Sequence, residues 1–418
     1  MFALYEALLW AAFLLLLPWF AVVGFLKGKY WASFPARLGS YRGRGGEHDV
    51  WVQAVSVGEV AAAKSLIERL RERRGDLRIV VTTTTATGQA MARRLFPNDT
   101  VTYFPFDFSF SVRRFLAHHE PRLYVAVETE IWPNAARLAR ARRMRVAIVN
   151  GRLSDRSFHR YRRVRPLLAR IFELYDELMV RSEADRERYV AIGARPERTF
   201  VTGNLKFDLD AMTSEEPEIA PELLRLAAGR PIFVAGSTME GEDEALLAHL
   251  PRLVAKGCFV VLAPRKPDRF EIVAGFLATS GIRWARRSEL PNPGVEAADL
   301  LLLDSIGELA RVYRYAVAAF VGGSIVPTGG HNPIEPASAG TPVAFGPHMS
   351  NFREIAETFL AAGGAVQVQN AAQLIAFVEK MMVDTAARED LAAKGRTVVD
   401  TNRGAAERTA ERLLRLLP

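Results

Sequence analysis

The sequence predicts an α/β protein built from two doubly wound domains, each a parallel sheet covered by helices on both faces. Three observations predict it. A chain of 418 residues makes two domains at about 100–200 residues each. From residue 45 onward a short Val/Ile-rich run, a small or polar turn and a longer helix-spaced segment recur, as expected of strands buried on both faces and joined by helical crossovers. The composition, 49% hydrophobic and 24% charged, excludes disordered, collagen-like and low-complexity classes.

The first element stands apart from that pattern. Residues 7–26 carry no charge over about the 20 residues that cross a bilayer core. Lys27, Lys29, Arg37, Arg42 and Arg44 follow, with Trp10, Trp19 and Tyr30 as interface anchors, so residues 1–29 read as a membrane anchor whose downstream chain stays cytoplasmic. A cleaved signal peptide fits less well, because no basic segment precedes the run and no small-residue cleavage site follows it. Pro18 leaves shallow interfacial insertion open, and a buried core helix is the remaining alternative.

The first domain, expected over 30–206, has strands at 50–55, 79–85, 123–127, 146–150 and 177–180. Ligands of such sheets bind at the carboxyl ends of the strands, so the residues just after them are the candidates. Ser56, Val57, Gly58 and Glu59 follow the first strand. Gly58 allows a sharp turn, and Glu59 is either a stabiliser of the helix start or a general base. Glu128 and Glu130 end another strand two residues apart. Burying either demands a partner, in a site or in a structural ion pair. Arg152, after Asn150 and Gly151, and Lys206, after Gly203 and Asn204, each bring one cation to the same end, suited to phosphate or carboxylate.

The alternation lapses over 207–230, rich in Glu, Pro and Ala, which is taken as the linker. It resumes over 231–400 with strands at 232–235, 258–263, 300–303, 316–321 and 342–345. The facing strand ends of two such domains leave a cleft as the expected ligand site. Gly236, Ser237 and Thr238 precede an acidic helix whose N–H groups are open to an anion. Arg265, behind Pro264, marks a basic turn. The densest signal is 322–351: Gly322 and Gly323 end a strand, Gly329 and Gly330 permit close backbone approach, and Asn332-Pro333 opens a helix carrying Glu335. Strand, loop, helix start and acid together point to nucleotide binding.

Other chemistries find no support. Walker, H-E-x-x-H, EF-hand and G-x-S-x-G patterns are missing from the sequence. The seven histidines lack metal spacing, and no metal or other cofactor is expected. Asp107, among aromatics, reads as a turn or cap residue. A lone cysteine, Cys258, fits a reducing compartment. The net charge of +8 calls for an anionic partner. Seven arginines in 152–170 lie on the side of the apolar anchor, either as a solvated helix face or as contacts to anionic headgroups. Nucleic acid is not expected, since no helix-turn-helix or aromatic-rich binding motif accompanies the charge.

The ordered motifs SVGE (56–59), ETEIWPN (128–134), NGRLS (150–154), TGNLKFD (202–208), APRKPDRF (263–270), IGEL (306–309) and the stretch 322–352, behind an apolar N-terminus, resemble the 3-deoxy-D-manno-octulosonic acid (Kdo) transferase family over nearly the whole chain. The resemblance implies a GT-B fold of two facing Rossmann-like domains, an acceptor domain and then a nucleotide-sugar domain. It also implies a last helix, 401–418, that crosses back. The implied activity is inverting, metal-independent transfer of Kdo from CMP-Kdo to lipid IVA, in lipopolysaccharide synthesis at the cytoplasmic face of a bacterial inner membrane. Glu59 resembles the family's proton acceptor, and Glu128 and Lys206 its transition-state stabilisers. Pro264, Arg265, Ile306, Gly307, Glu308, Asn332, Pro333, Ile334 and Glu335 resemble its CMP-Kdo contacts, with Ser56, Gly58, Arg152, Gly323 and Ser324 as further candidate contacts to acceptor or Kdo. A UDP-sugar transferase or sugar-nucleotide epimerase on the same fold is the alternative.

Overall fold

Why the strands form where they do is plain from their burial. The computed structural model describes residues 1–27, 33–41, 45–208, 217–291 and 297–418, with the backbone alone over 18–27. Residues 28–30, 42–44 and 209–216 of the expected anchor, its basic flank and the linker lie outside the described residues. The chain divides into two units, Met1–Leu209 with Asn402–Pro418, and Asp210–Thr401.

In the first unit β1 (His48–Gln53), β2 (Ile79–Thr83), β3 (Thr100–Tyr103), β4 (Pro121–Val127), β5 (Arg145–Gly151), β6 (Glu177–Val180) and β7 (Thr199–Val201) form one sheet. Its order is β3-β2-β1-β4-β5-β6-β7, with every pairing parallel. One face packs Val50, Val52, Leu123 and Val125 against the helix Val57–Arg73. The other packs Trp51, Tyr124 and Ile148 against Phe115, Leu168 and Phe172. The last helix, Ala405–Leu416, buries Ala406, Ala410 and Leu413 in the first of these cores.

The second unit repeats the plan. It contains β8 (Ile232–Thr238), β9 (Phe259–Pro264), β10 (Trp284–Arg286), β11 (Leu300–Leu302), β12 (Ala316–Val321), β13 (Val343–Phe345) and β14 (Val366–Gln367). Their order is β10-β11-β9-β8-β12-β13-β14, again parallel throughout. Each sheet reverses its winding beside its first strand, at β1/β4 and at β8/β12, and such a switch point is where open α/β sheets hold ligands.

Two expectations are corrected. The span 207–230 is not wholly linker: its second part forms the helix Ala220–Ala227, whose Leu223 and Leu226 sit in the second unit's core. The N-terminal helix forms, Phe2–Lys27, but membrane crossing is not supported: among the described residues no helix is long and apolar enough to cross a membrane. Its first half is docked. The Tyr5 hydroxyl donates to Asp107 at 2.9 Å, and Glu6 accepts from the Ser109 amide and the Asn134 side chain. Trp10 and Phe13 pack on Phe108. Leu4, Leu8 and Leu14–17 face outward, exposed.

Candidate active site

The chain brings its acids and cations to the carboxyl end of the first sheet through short turns after β1, β4, β5, β6 and β7. Ser56, extended at φ −122°, precedes the helix Val57–Arg73 and leaves Gly58 and Glu59 in its first turn. Glu59 is 8% exposed. Its carboxylate accepts from the Val55 amide at 2.7 Å and the Ser56 hydroxyl at 3.0 Å. Burial pushes this carboxyl up to about 7, against the pull of the Val55 N–H, and the carboxylates of Glu128 and Glu130 push it further the same way. A carboxyl tuned near neutrality is matched to general-base work.

Glu128 and Glu130, neighbours in sequence, are separated by structure. Glu128 sits at φ 63°, a left-handed conformation that costs a non-glycine residue about 1 kcal/mol or more. It turns its side chain to Arg181, whose guanidinium bonds it directly, and to Lys206 at 3.9 Å. Glu130 is taken by the Trp132 indole N–H at 2.8 Å, and burial holds its carboxyl above the ordinary range. Lys206 lies in the one-turn helix Leu205–Asp208, which is pinned by Asn150 Oδ1 accepting from the Leu205 amide and Asn204 Oδ1 from the Lys206 amide. The backbone carbonyl of Arg152 accepts from the Thr129 hydroxyl, so the 150–152 turn is tied to the 128–130 turn.

Arg181 went unnoticed in the sequence. Only 4% of its side chain is exposed, and it donates to the Asn150 carbonyl as well as to Glu128. The signal was available: it directly follows β6, the same strand-end position that singles out Glu59 and Glu128. Asp107 is the cap it was expected to be, accepting from the Asn134 and Ala135 amides at 3.0 and 2.7 Å.

In the second unit Arg265 follows β9, its amide bonded to the Thr238 carbonyl. Its charge reaches His331, whose imidazole is lowered to about 4 by burial and then by Arg265, so the basic turn and the Gly-rich segment converge. Asn332 is an organiser here. Its Oδ1 accepts from the Ile334 amide and its Nδ2 donates to Glu335 at 3.3 Å. Ile306 is 72% exposed beside Gly307 at φ 98°. Glu308 is committed to Arg287, at 2.9 and 3.0 Å, and to the Ser305 hydroxyl. These bonds hold its carboxyl below the usual range although burial works against them.

Two details depart from expectation. The anion at the start of the helix after β8 is the protein's own Glu242, 1% exposed. It accepts from the amides of Met239, Gly323, Ser324, Ile325 and Val326. The N–H groups of 323–326 are thereby consumed. Ser324, a candidate contact, is fully buried. Its hydroxyl donates to the Val321 carbonyl and accepts from the Gly346 amide, which makes it a strut rather than a ligand contact.

Two parallel α/β units, each a doubly wound sheet, resemble the GT-B fold of glycosyltransferases. The fold is shared with the glycosyltransferase of kitacinnamycin, at a TM-score of 0.55 and 14% identity over 90% of this chain and 100% of that one. Residues 32–209 match the sequence profile of the 3-deoxy-D-manno-octulosonic-acid transferase (kdotransferase) family. The 3-deoxy-D-manno-octulosonic acid transferase of Haemophilus influenzae is 36% identical over 372 residues, 87% of this chain and 86% of that protein. That of Bordetella pertussis is 35% identical over 403 residues, 92% of each. The chain belongs to the 3-deoxy-D-manno-octulosonic acid transferase family.

Proposed function

We propose that this protein transfers Kdo from CMP-Kdo to lipid IVA, with inversion and without a metal ion, at the cytoplasmic face of a bacterial inner membrane. The observation that carries the reading is Glu59, a buried carboxyl tuned near neutrality beside Glu128, Arg181 and Lys206. A glucosamine hydroxyl of the acceptor gives its proton to Glu59 as its oxygen bonds the anomeric carbon of Kdo. The bond from that carbon to the phosphate oxygen breaks, and CMP leaves with the electron pair. The transition state carries positive charge on the sugar and growing negative charge on the phosphate. Glu128 and Lys206 answer these charges. Arg265 and the 332–335 turn hold the nucleotide, and Ile306 offers an apolar surface to the base.

The acceptor's membrane setting is supported by two exposed surfaces of the first unit. One is the outward leucine face of the N-terminal helix. The other is the turn between the helices Asp155–Arg162 and Arg165–Phe172, where Arg160, Arg162, Arg163 and Arg165 are exposed together with Val164 and Leu167. Apolar and basic groups side by side suit an anionic lipid surface, the helix lying in the interface.

The test is purified protein with CMP-Kdo and lipid IVA in EDTA, read by mass spectrometry of the lipid. A mass gain of one or more Kdo units is expected. No gain from a folded protein that is protected against thermal unfolding by UDP rather than CMP would replace the reading with a UDP-sugar reaction.

A further inference from the structure

The second unit holds a cavity of roughly 390 Å³ at the carboxyl ends of β12 and β13, lined by Gly329, Phe345, His348, Ser350, Arg353 and Leu360 among others. The size is at the small end of ligand pockets, right for one sugar rather than a lipid chain.

The cavity is built onto the Gly-rich segment. The Asn351 amide donates to the Gly329 carbonyl at 2.8 Å, and the Gly330 amide to the Gly323 carbonyl. Gly329 and Gly330 have φ of 101° and 73°. A Cβ on either would collide with Asn351 or with the Met349 sulfur, so the glycines are what lets the 349–351 turn close on this loop. Asn332 stands two residues further along, so the cavity adjoins the turn assigned to the nucleotide.

Its chemistry is one-sided. Phe345 and Leu360 give an apolar wall, while His348, Ser350 and Arg353 bring polar groups. Other arginines of this unit, such as Arg269, Arg286 and Arg287, are ion-paired. Arg353 is exposed and, among the described residues, has no hydrogen-bonded or ion-paired partner. Glu357, one helical turn further on and also on the cavity, makes no ion pair with it. An unpaired guanidinium over a sugar-sized cavity fits a carboxylate, which it grips with two parallel N–H bonds.

We propose that this cavity receives the sugar acid of the nucleotide-sugar substrate, with Arg353 pairing its carboxylate and selecting acidic over neutral sugars. The inference rests on the CMP-Kdo reading above and adds the residue that makes it specific. The experiment measures KM for CMP-Kdo and Kd for CMP alone in the wild type, Arg353→Gln and Arg353→Lys. In Arg353→Gln, KM for CMP-Kdo should rise about tenfold to a hundredfold, the worth of a charge-assisted bond, with Kd for CMP unchanged. Arg353→Lys should fall between the two, keeping the charge and losing the fork. An active wild type with an unchanged KM in Arg353→Gln overturns this inference alone. Equal losses for CMP and CMP-Kdo would also overturn it, by moving Arg353 to the nucleotide. A wild type inert towards CMP-Kdo overturns the underlying reading and this one with it.

Discussion

Glu59 and Glu242 occupy the same place in the two units, at the start of the helix that follows the first strand of each sheet, yet their surroundings make them opposites. Both are buried, at 8% and 1% exposure. Glu59 accepts one backbone N–H and one hydroxyl, too little to offset its burial, so it keeps a lone pair for a proton and is tuned to about 7. Glu242 accepts five backbone amides, four of them from 323–326, and its two oxygens have no capacity left. A buried carboxylate that accepts few groups keeps room for a proton, and one that accepts five backbone amides is a structural post.

The largest expected effect tests the reactive half. Glu59→Gln should lower turnover by about 10²–10⁴-fold, the usual share of a general base, with CMP affinity intact by titration. Turnover within tenfold of wild type would break the comparison at its first term. The same variant should be more stable than wild type above neutral pH. A raised folded pKa means the native state holds the Glu59 proton tightly, so the associated stability is present in acid and lost as pH rises through about 7. Replacing the acid removes that loss, worth about 3 kcal/mol, read in urea unfolding at pH 8.

Glu242→Gln tests the other half and should go the opposite way. The amide NH₂ it introduces cannot accept, so two or more loop N–H groups lose their partner at about 1–3 kcal/mol each. The second unit should unfold earlier by about 3 kcal/mol at any pH near neutrality. A variant as stable as wild type would mean the loop holds itself.

Arg181→Gln sharpens the first term. It leaves Glu128 with Lys206 alone, at 3.9 Å, so kcat should fall about tenfold to a hundredfold while Kd for CMP stays put. An unchanged kcat would remove Arg181 from the machinery. The smallest effect is on wild type itself: because the base must be ionised, turnover should rise through pH 7 and fall about tenfold per unit below it. A flat profile between pH 5.5 and 8 would show that Glu59 does not limit the reaction.

What could be read in advance divides along the same physical line. Strands at the sheet centres announce themselves as apolar runs because both their faces are covered. Of the four outer strands of the two sheets, β3, β10 and β14 were not foreseen, and β7 was marked only by the turn that follows it. They are short and partly exposed, so their residues need not be continuously apolar. The helix Ala220–Ala227 was hidden by a Pro- and Glu-rich neighbourhood that resembles a linker. The uncharged N-terminal run suggested a span, whereas the polar residues just before it, Tyr5 and Glu6, dock the helix on Asp107, Ser109 and Asn134.

The sequence by itself determined the two-domain α/β plan, the family and the strand-end positions of Glu59, Glu128, Lys206 and Arg265, because periodicity and motif order are local properties of the chain. Only the tertiary structure decided what each charge does. Arg181 reaches Glu128 from 53 residues away, and the Gly323 amide meets Glu242 across 81. Whether a carboxylate is desolvated, paired or saturated depends on groups that folding alone brings to it, and that environment left Glu59 able to take up a proton near neutrality and made its counterpart a strut.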